Sequence, residues 1–554
     1  VSNYASLVAD AWGDTWTMSA VSVERYDDFT GGLNLRADQF QLKRNESPDM
    51  LNVEVDPRGG LFTRGGIREI NSTAITGTWN PHKLYAFPGA TPHLMLANHT
   101  KVYKSTGGNF TTLQYSSGND VTAAQTHGSC MAAWGKTLYL TTGTAGSGGY
   151  SWITTDTYAT ALTASGSSPH AWQTTPSSSE HKMPTAEHII VHANKMFVAN
   201  TTEAGVSHPN RVRWSLESIP DNWDEDDYID FEGGGEGITA LAVVSGQLVV
   251  FKQTAMFVVY GYDSTDFRVV QLSPQLGALM HEHIAVAPNG VYFFSHPQGL
   301  YFYNGTQVID IFTNLKSMYP DGYINSTADD QISVSYVNER VWLSMPFSKI
   351  TSVDYPAISF VYDPTINNGS YVAHKTADGY GLIGGTDWTN ASGESKPFMI
   401  HPVLPRVVEV DVYAEEKDLI ATVESNFDSY YRTGWVDGRS YSMKKMWRRP
   451  DFVVKQTDTA RQINVKVFHN FEEAVGNERK TFNISLEASA GGMLWGEGYW
   501  GSGEWGVQAA GAQVIRGSNL GLARAVQLLF TGPIGLFWGI DSIAYKFNTR
   551  KVTG

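Results

Sequence analysis

A strand, a two- or three-residue turn and a second strand rich in aromatic and β-branched residues recur along the middle of this chain, and this repeat restricts its fold more than any other feature. The pattern stands in Met131–Leu140, His188–Val198, Leu241–Phe251, Ile284–Phe294 and Ile332–Trp342. Its turn residues Gly135, Asn194, Gly246, Asn289 and Asn338 follow one another at intervals of 59, 52, 43 and 49 positions. A lone four-stranded sheet cannot cover both of its faces, so units of roughly 40 to 50 residues with about four short strands each must stack on one another, as propeller blades do. Third and fourth strands are readable at Ala255–Tyr260, Gly299–Tyr303 and Ala357–Asp363, and an earlier unit at Leu94–Tyr103. Residues 76–400 are therefore predicted to form a β-propeller of six or seven blades, with an unclosed stack of hairpins as the alternative.

A chain of 554 residues exceeds one core and calls for three or four units at roughly 150 residues each. Around Met399–Pro405 the repeat stops at two closely spaced prolines, which suggests a boundary. Beyond it, Val407–Tyr413, Arg461–Phe468, Thr481–Leu486 and Ala523–Phe530 alternate apolar and polar residues, so residues 401–554 read as a β-sandwich. Residues 1–75 are irregular and end in turns rich in glycine and arginine, and are read as an N-terminal arm. The 54 Gly, 27 Tyr, 25 Phe and 16 Trp, against 17% charged residues, favour strands and tight turns over amphipathic helices. The fold class expected is all-β.

The formal charge of −15 argues against a protein that grips nucleic acid, because phosphate binding needs a lysine and arginine surface that releases counterions. It is compatible with a wall past which DNA slides. One cysteine, Cys130, forbids an intrachain disulfide and fits a reducing compartment; its apolar, strand-like surroundings read as core. The opening Val1–Asp10 carries no basic stretch followed by an apolar one, so assembly in a cytoplasm is the expectation. No apolar run reaches the ~20 residues of a membrane span.

The chemical motifs are weak. Gly135-Lys136-Thr137 looks like the end of a phosphate loop, but Cys130 stands where a glycine is needed and a strand follows instead of a helix. His281-Glu282-His283 places two imidazoles at i and i+2, a spacing that chelates metal on a strand, yet no third ligand is identifiable nearby. The acidic run Asp221–Asp230 lacks the glycine and spacing of a calcium loop and reads as a solvated connection into a strand at Tyr228–Phe231. The compact basic cluster Lys444, Lys445, Trp447, Arg448 and Arg449 is the one segment resembling a nucleic-acid patch, and serves equally as a subunit contact. Trp495, Tyr499, Trp500 and Trp505, spaced among glycines, suit either an aromatic interface or stacking on sugar. Neither repeated Ser-x-Asp-x-Gly-x-x-Trp boxes nor a Gly-x-Ser-x-Gly elbow occurs, so no catalytic residue, cofactor or metal is assigned and the chain is read as a non-enzyme.

Several strings resemble the β-propeller nozzle proteins of short-tailed bacteriophages, the tail tubular protein B family, and related phage minor tail proteins. These are Gly31–Asp38, Glu46–Gly60 and Arg64–Gly66 near the start, and Ile238–Lys252, Tyr260-Gly261, Leu276–Ala278, Tyr292–Ser295 and Gly299–Gly305 in the middle. Lys444-Lys445, Gly521–Gln527 and Ile543–Phe547 are similar to the terminal sandwich of that family. The resemblance implies a virion protein of the phage tail: a homo-oligomeric ring, sixfold in the nozzle family, bound below an adaptor ring and enclosing the channel through which DNA leaves without specific binding. It brings no catalytic residues with it. Two other readings stand beside it, a tail-tip protein that binds host glycan or receptor, and a propeller glycosidase.

Overall fold

The structure is a computed structural model and describes residues 21–549 apart from 39–40, 124–128, 145–146, 167–171, 173–180, 236, 263–264, 319–330, 347–354, 367–368, 456, 458–459, 473, 475 and 487–512. The chain forms two compact units: residues 65–364 with 373–427, and residues 1–64 with 365–372 and 428–554. The first is a β-propeller and the second a β-sandwich.

Among the described residues the propeller has seven blades. Blade 1 runs outward through Pro81–Phe87, His93–Asn98, Lys101–Ser105 and Thr111-Thr112, and blade 2 through Met131–Trp134, Thr137–Leu140, Tyr150–Ile153 and Thr160-Ala161. Blade 3 is built from longer strands, Lys182–His192, Lys195–Glu203, Val206–Leu216 and Ile219–Asp230. Blade 4 comprises Ile238–Val244, Gln247–Lys252, Met256–Tyr260 and Arg268–Ser273; blade 5 comprises Ile284–Ala287, Gly290–Ser295, Gly299–Tyr303 and Val308–Asp310. Blade 6 has Ser333–Val337, Arg340–Pro346, Pro356–Asp363 and a fourth strand through Ala373 and His374. The five hairpins visible in the sequence are the two inner strands of blades 2 to 6. Asn194 and Asn338 adopt positive φ in their turns, the conformation for which a two-residue hairpin selects Asn or Gly.

Most neighbouring blades bury apolar faces against each other. Phe87, Met95 and Val102 of blade 1 pack with Leu138, Leu140 and Trp152 of blade 2, and Phe251 of blade 4 meets Phe293 of blade 5 at 5.2 Å. Tyr292 of blade 5 stacks on Tyr336 of blade 6. Blades 6 and 7 are joined by polar contacts, with the Gly384 and Gly385 amides donating to Ser333 and Ser335 Oγ at 3.0 and 2.8 Å.

Blade 7 contains Ile383–Thr389, Ser395–Ile400 and Val407–Val412, and its next strand is Gly66–Glu69, from upstream of blade 1. The prolines at 402 and 405 thus lie in a tight connection between two paired strands, and Val407–Val412 is a blade strand, not part of a sandwich. Its alternating pattern satisfies either setting; what decides is its neighbour. Val408 and Glu409 pair with Glu69 and Arg68, and Arg68 donates to Glu409 across the pair at 2.8 Å. Leu84, Leu94 and Leu96 of blade 1 then pack on Ile383, Trp388 and Phe398, closing the ring.

In the second unit one sheet has the order Gln513–Arg516, Asp451–Val454, Gly539–Thr549, Lys445–Trp447, Gly521–Ala523, joined by Ser22–Tyr26, Val53–Val55 and Leu61–Thr63. The other has the order Asp49–Leu51, Tyr430–Arg432, Val526–Thr531, Arg461–His469, Lys480–Leu486. Phe452 of the first sheet meets Phe530 of the second edge to face at 5.8 Å, and Tyr26 and Tyr431 share a buried hydroxyl hydrogen bond of 2.9 Å. The N-terminal segment takes part in this sandwich: Ser22–Tyr26 pairs with Ile543–Phe547.

Candidate functional site at the centre of the propeller

The inner strands of a propeller converge, so a polar residue near the start of each blade is brought close to its counterparts from other blades. Here that convergence gathers titratable groups. His82 and Lys83 come from the inner strand of blade 1, Cys130 immediately precedes that of blade 2, Glu187 and His188 lie on that of blade 3, and His281–His283 form a 3-10 turn leading into that of blade 5.

Glu282 is the hub. Its carboxylate accepts from His82 Nδ1 at 3.1 Å and lies 3.2 Å from His281 Nδ1. Burial alone would raise this carboxyl, but His281 and His82 together hold it well below the usual carboxylate range. His188 donates from Nε2 to the Ile238 carbonyl at 3.2 Å, and its Nδ1 faces Cys130 Sγ at 3.7 Å. Lys83 Nζ donates to the Ile284 carbonyl at 3.1 Å. Desolvation pushes the Cys130 thiol up to about 12, with Glu282 adding to the effect and Lys83 opposing it. Burial likewise raises Glu187 to about 7, against the Asn200 amide that donates to it. Beside the cluster is a cavity of ≈ 410 Å³ lined by Glu187, His188, Asn200, Thr239, His281 and Glu282 among others.

The motif His281-Glu282-His283 differs from its expected geometry. On a strand residues i and i+2 share a face, whereas in a 3-10 turn each residue advances about 120° and the two imidazoles diverge. His281 turns toward His188, their ring centroids 6.0 Å apart, while His283 is buried edge to face against Phe294. The companions of His281 come from other blades: Cys130, His188 and His281 offer ligand atoms all within 4.8 Å of one another. Sequence reasoning missed this set because its members are far apart in the chain. The usable signal was their register, since each stands at or just before an inner strand of the repeating hairpin.

The remaining candidates fall elsewhere. In the strand Lys445–Trp447 alternation turns Lys445 and Trp447 inward and Met446 outward. Lys445 Nζ donates to the carbonyls of Ser440, Met443 and Arg524, and Trp447 Nε1 to that of Ala523 at 3.1 Å. Neither presents its polar group for a phosphate. Lys444 and Arg449 are exposed, and Arg448 donates to Asn548. Trp495, Tyr499, Trp500 and Trp505 lie outside the described residues. Gly135-Lys136 is the turn between the two inner strands of blade 2, without a helix. The acidic run Asp221–Asp230 lies within the strand Ile219–Asp230 instead of forming a connection. Strand geometry is tolerated because the facing strand supplies cations: Arg211 binds Asp230 through two bonds of 2.8 and 2.9 Å.

Among the described residues no helix is long and apolar enough to cross a membrane. No family model matches the chain, and no curated protein matches it. Solved structures similar to it include BBS1N in complex with ARL6DN, at 8% identity over 63% of this chain and 97% of that one, with a TM-score of 0.38. Apo AztD from Citrobacter koseri is 9% identical over 54% and 90% of the two chains, with a TM-score of 0.30. The extracellular domain of the putative hybrid two component system BT3049 from B. thetaiotaomicron is 11% identical over 63% of this chain and 50% of that one, with a TM-score of 0.33.

Proposed function

We propose that this chain is a structural subunit of a bacteriophage tail, assembling into a homo-oligomeric ring around the channel through which the genome leaves and helping to retain and then release it. The observation that carries this reading is the arrangement of the chain: the propeller, residues 65–364 with 373–427, lies in sequence between residues 1–64 and 428–554, which belong together to the sandwich unit. The resemblance implies a propeller with a terminal sandwich, and of the strings that carry it Asp49–Leu51 near the start and Gly521–Gln527 and Ile543–Phe547 near the end fall on strands or strand margins of the sandwich. A closed ring needs one heterologous contact whose rotation returns to its origin. The net charge of −15 suits a wall that must not hold DNA.

Native mass spectrometry and electron microscopy of the purified full chain test this directly. Rings, six subunits by the resemblance, are expected. A chain that stays monomeric at all concentrations and binds host polysaccharide would establish the receptor-binding reading instead. The glycosidase reading has one observation in its favour: Glu187 and Glu282, one carboxyl raised and one held low, line the same cavity. Glycan turnover that disappears in Glu187→Gln would establish it and displace the structural role.

A further inference from the structure

We propose that Cys130, His188 and His281 form a binding site for one soft divalent transition-metal ion of the zinc class, which ties blades 2, 3 and 5 together at the centre of the propeller.

The donor set is thiolate and two imidazoles, the combination that selects zinc-class ions over magnesium or calcium. Its geometry is close to that of a formed site. A tetrahedral ion with bonds of about 2.3 Å to sulfur and 2.0–2.1 Å to nitrogen separates those ligands by about 3.5 Å. Cys130 Sγ and His188 Nδ1 stand 3.7 Å apart, and all three ligand atoms lie within 4.8 Å of one another, so side-chain movement of about an ångström closes the set.

The groups behind the ligands point the same way. A carboxylate on one nitrogen of a ligating histidine, or a carbonyl on the other, is the usual means of orienting the ring toward metal. Glu282 holds His281 in this manner, and the Ile238 carbonyl holds His188 Nε2 so that Nδ1 is turned to Cys130. Glu282 is fixed in turn by His82, whose Nε2 is buried and has no hydrogen-bond partner among the described residues. The ≈ 410 Å³ cavity touching His188 and His281 gives the ion an entry path and leaves room for water or Glu187 as a fourth ligand. On binding, the Cys130 S–H proton leaves to solvent and the sulfur bonds to the ion.

Cys130 is the single cysteine, which makes the test specific. Full-length chain stripped with chelator is titrated with cobalt(II), a spectroscopic stand-in for zinc. The expected result is one ion per chain, a thiolate-to-cobalt charge-transfer band, intense visible bands of tetrahedral cobalt, and displacement of both by zinc. Cys130→Ser should abolish the charge-transfer band. His188→Ala and His281→Ala should each weaken binding at least tenfold, and Glu282→Gln by about 10- to 100-fold. Zinc should also raise the thermal midpoint of the native chain, and less so in these variants. Absence of the charge-transfer band in chain shown by circular dichroism to be folded overturns the proposal. So does a band of undiminished affinity in both histidine variants.

Discussion

The propeller contains two dense polar clusters made in opposite ways. On blade 3, Glu203, Arg211, Arg213 and Asp230 form ion pairs between adjacent strands, and the partners are 8 to 19 residues apart in the chain. At the centre, Glu282 and His82 are 200 residues apart, and Cys130 and His188 are 58 apart. The first cluster follows from cross-strand pairing once the hairpin register is known. The second exists only after the ring has closed, and its members are held by strands from different blades. A charge in the first is compensated locally; a charge in the second depends on the whole propeller.

The largest effect is expected in the local cluster. Arg213 is 2% exposed and donates to Glu203 through bonds of 2.6 and 2.8 Å. Glu203→Ala should therefore destabilise blade 3 by about 3–5 kcal/mol, because it takes the carboxylate from a buried guanidinium that keeps the Asp224 and Glu225 carbonyls as acceptors. Thermal unfolding and hydrogen exchange across residues 195–230 would read this loss, and a change under about 1 kcal/mol would show that Arg213 finds water instead.

The central cluster should show itself through pH. Glu187 has a folded-state value raised from 4.5 to about 7, so its contribution to stability is full below about pH 4.5 and is lost as pH rises to about 7. The loss is up to about 3 kcal/mol by linkage. Glu187→Gln should remove this decline between pH 4.5 and 7, whereas Glu203→Ala should leave it in place. Identical pH profiles for native chain and Glu187→Gln would show that the cavity is wetter than its burial implies.

The smallest effect belongs to the outer pair. Asp230 is 45% exposed, so Asp230→Asn should cost only about 0.2–1 kcal/mol and the difference should shrink in salt. A salt-insensitive loss as large as that of Glu203→Ala would erase the distinction between the rim pair and the buried one.

The same contrast explains what could be read from the sequence. Hairpins such as Met131–Leu140 and Ile332–Trp342 were legible because strand, turn and return strand lie within about ten residues and the turn chemistry marks the reversal. The role of Val407–Val412 was not, since its pattern records which face is apolar but not that Gly66–Glu69 will lie beside it. Lys445 read as a surface cation because composition carries no direction; strand alternation buries it. The central site was illegible for the strongest reason. Cys130, His188 and His281 each look ordinary in their own segment, and only the shared register of inner strands relates them.

The clasp of blade 7 has a consequence for how the protein comes into being. Arg68 emerges from the ribosome 341 residues before Glu409, the partner opposite it. At roughly 5 to 20 residues per second this is a wait of about 17 to 70 s. During that interval the nascent chain carries an unclaimed strand at one end and a growing stack of blades with an open edge at the other, both able to pair with a neighbouring nascent chain. A product terminated just before Val407 would keep both edges for good. For this propeller, completeness of the chain and protection from mispairing are decided by the same late event.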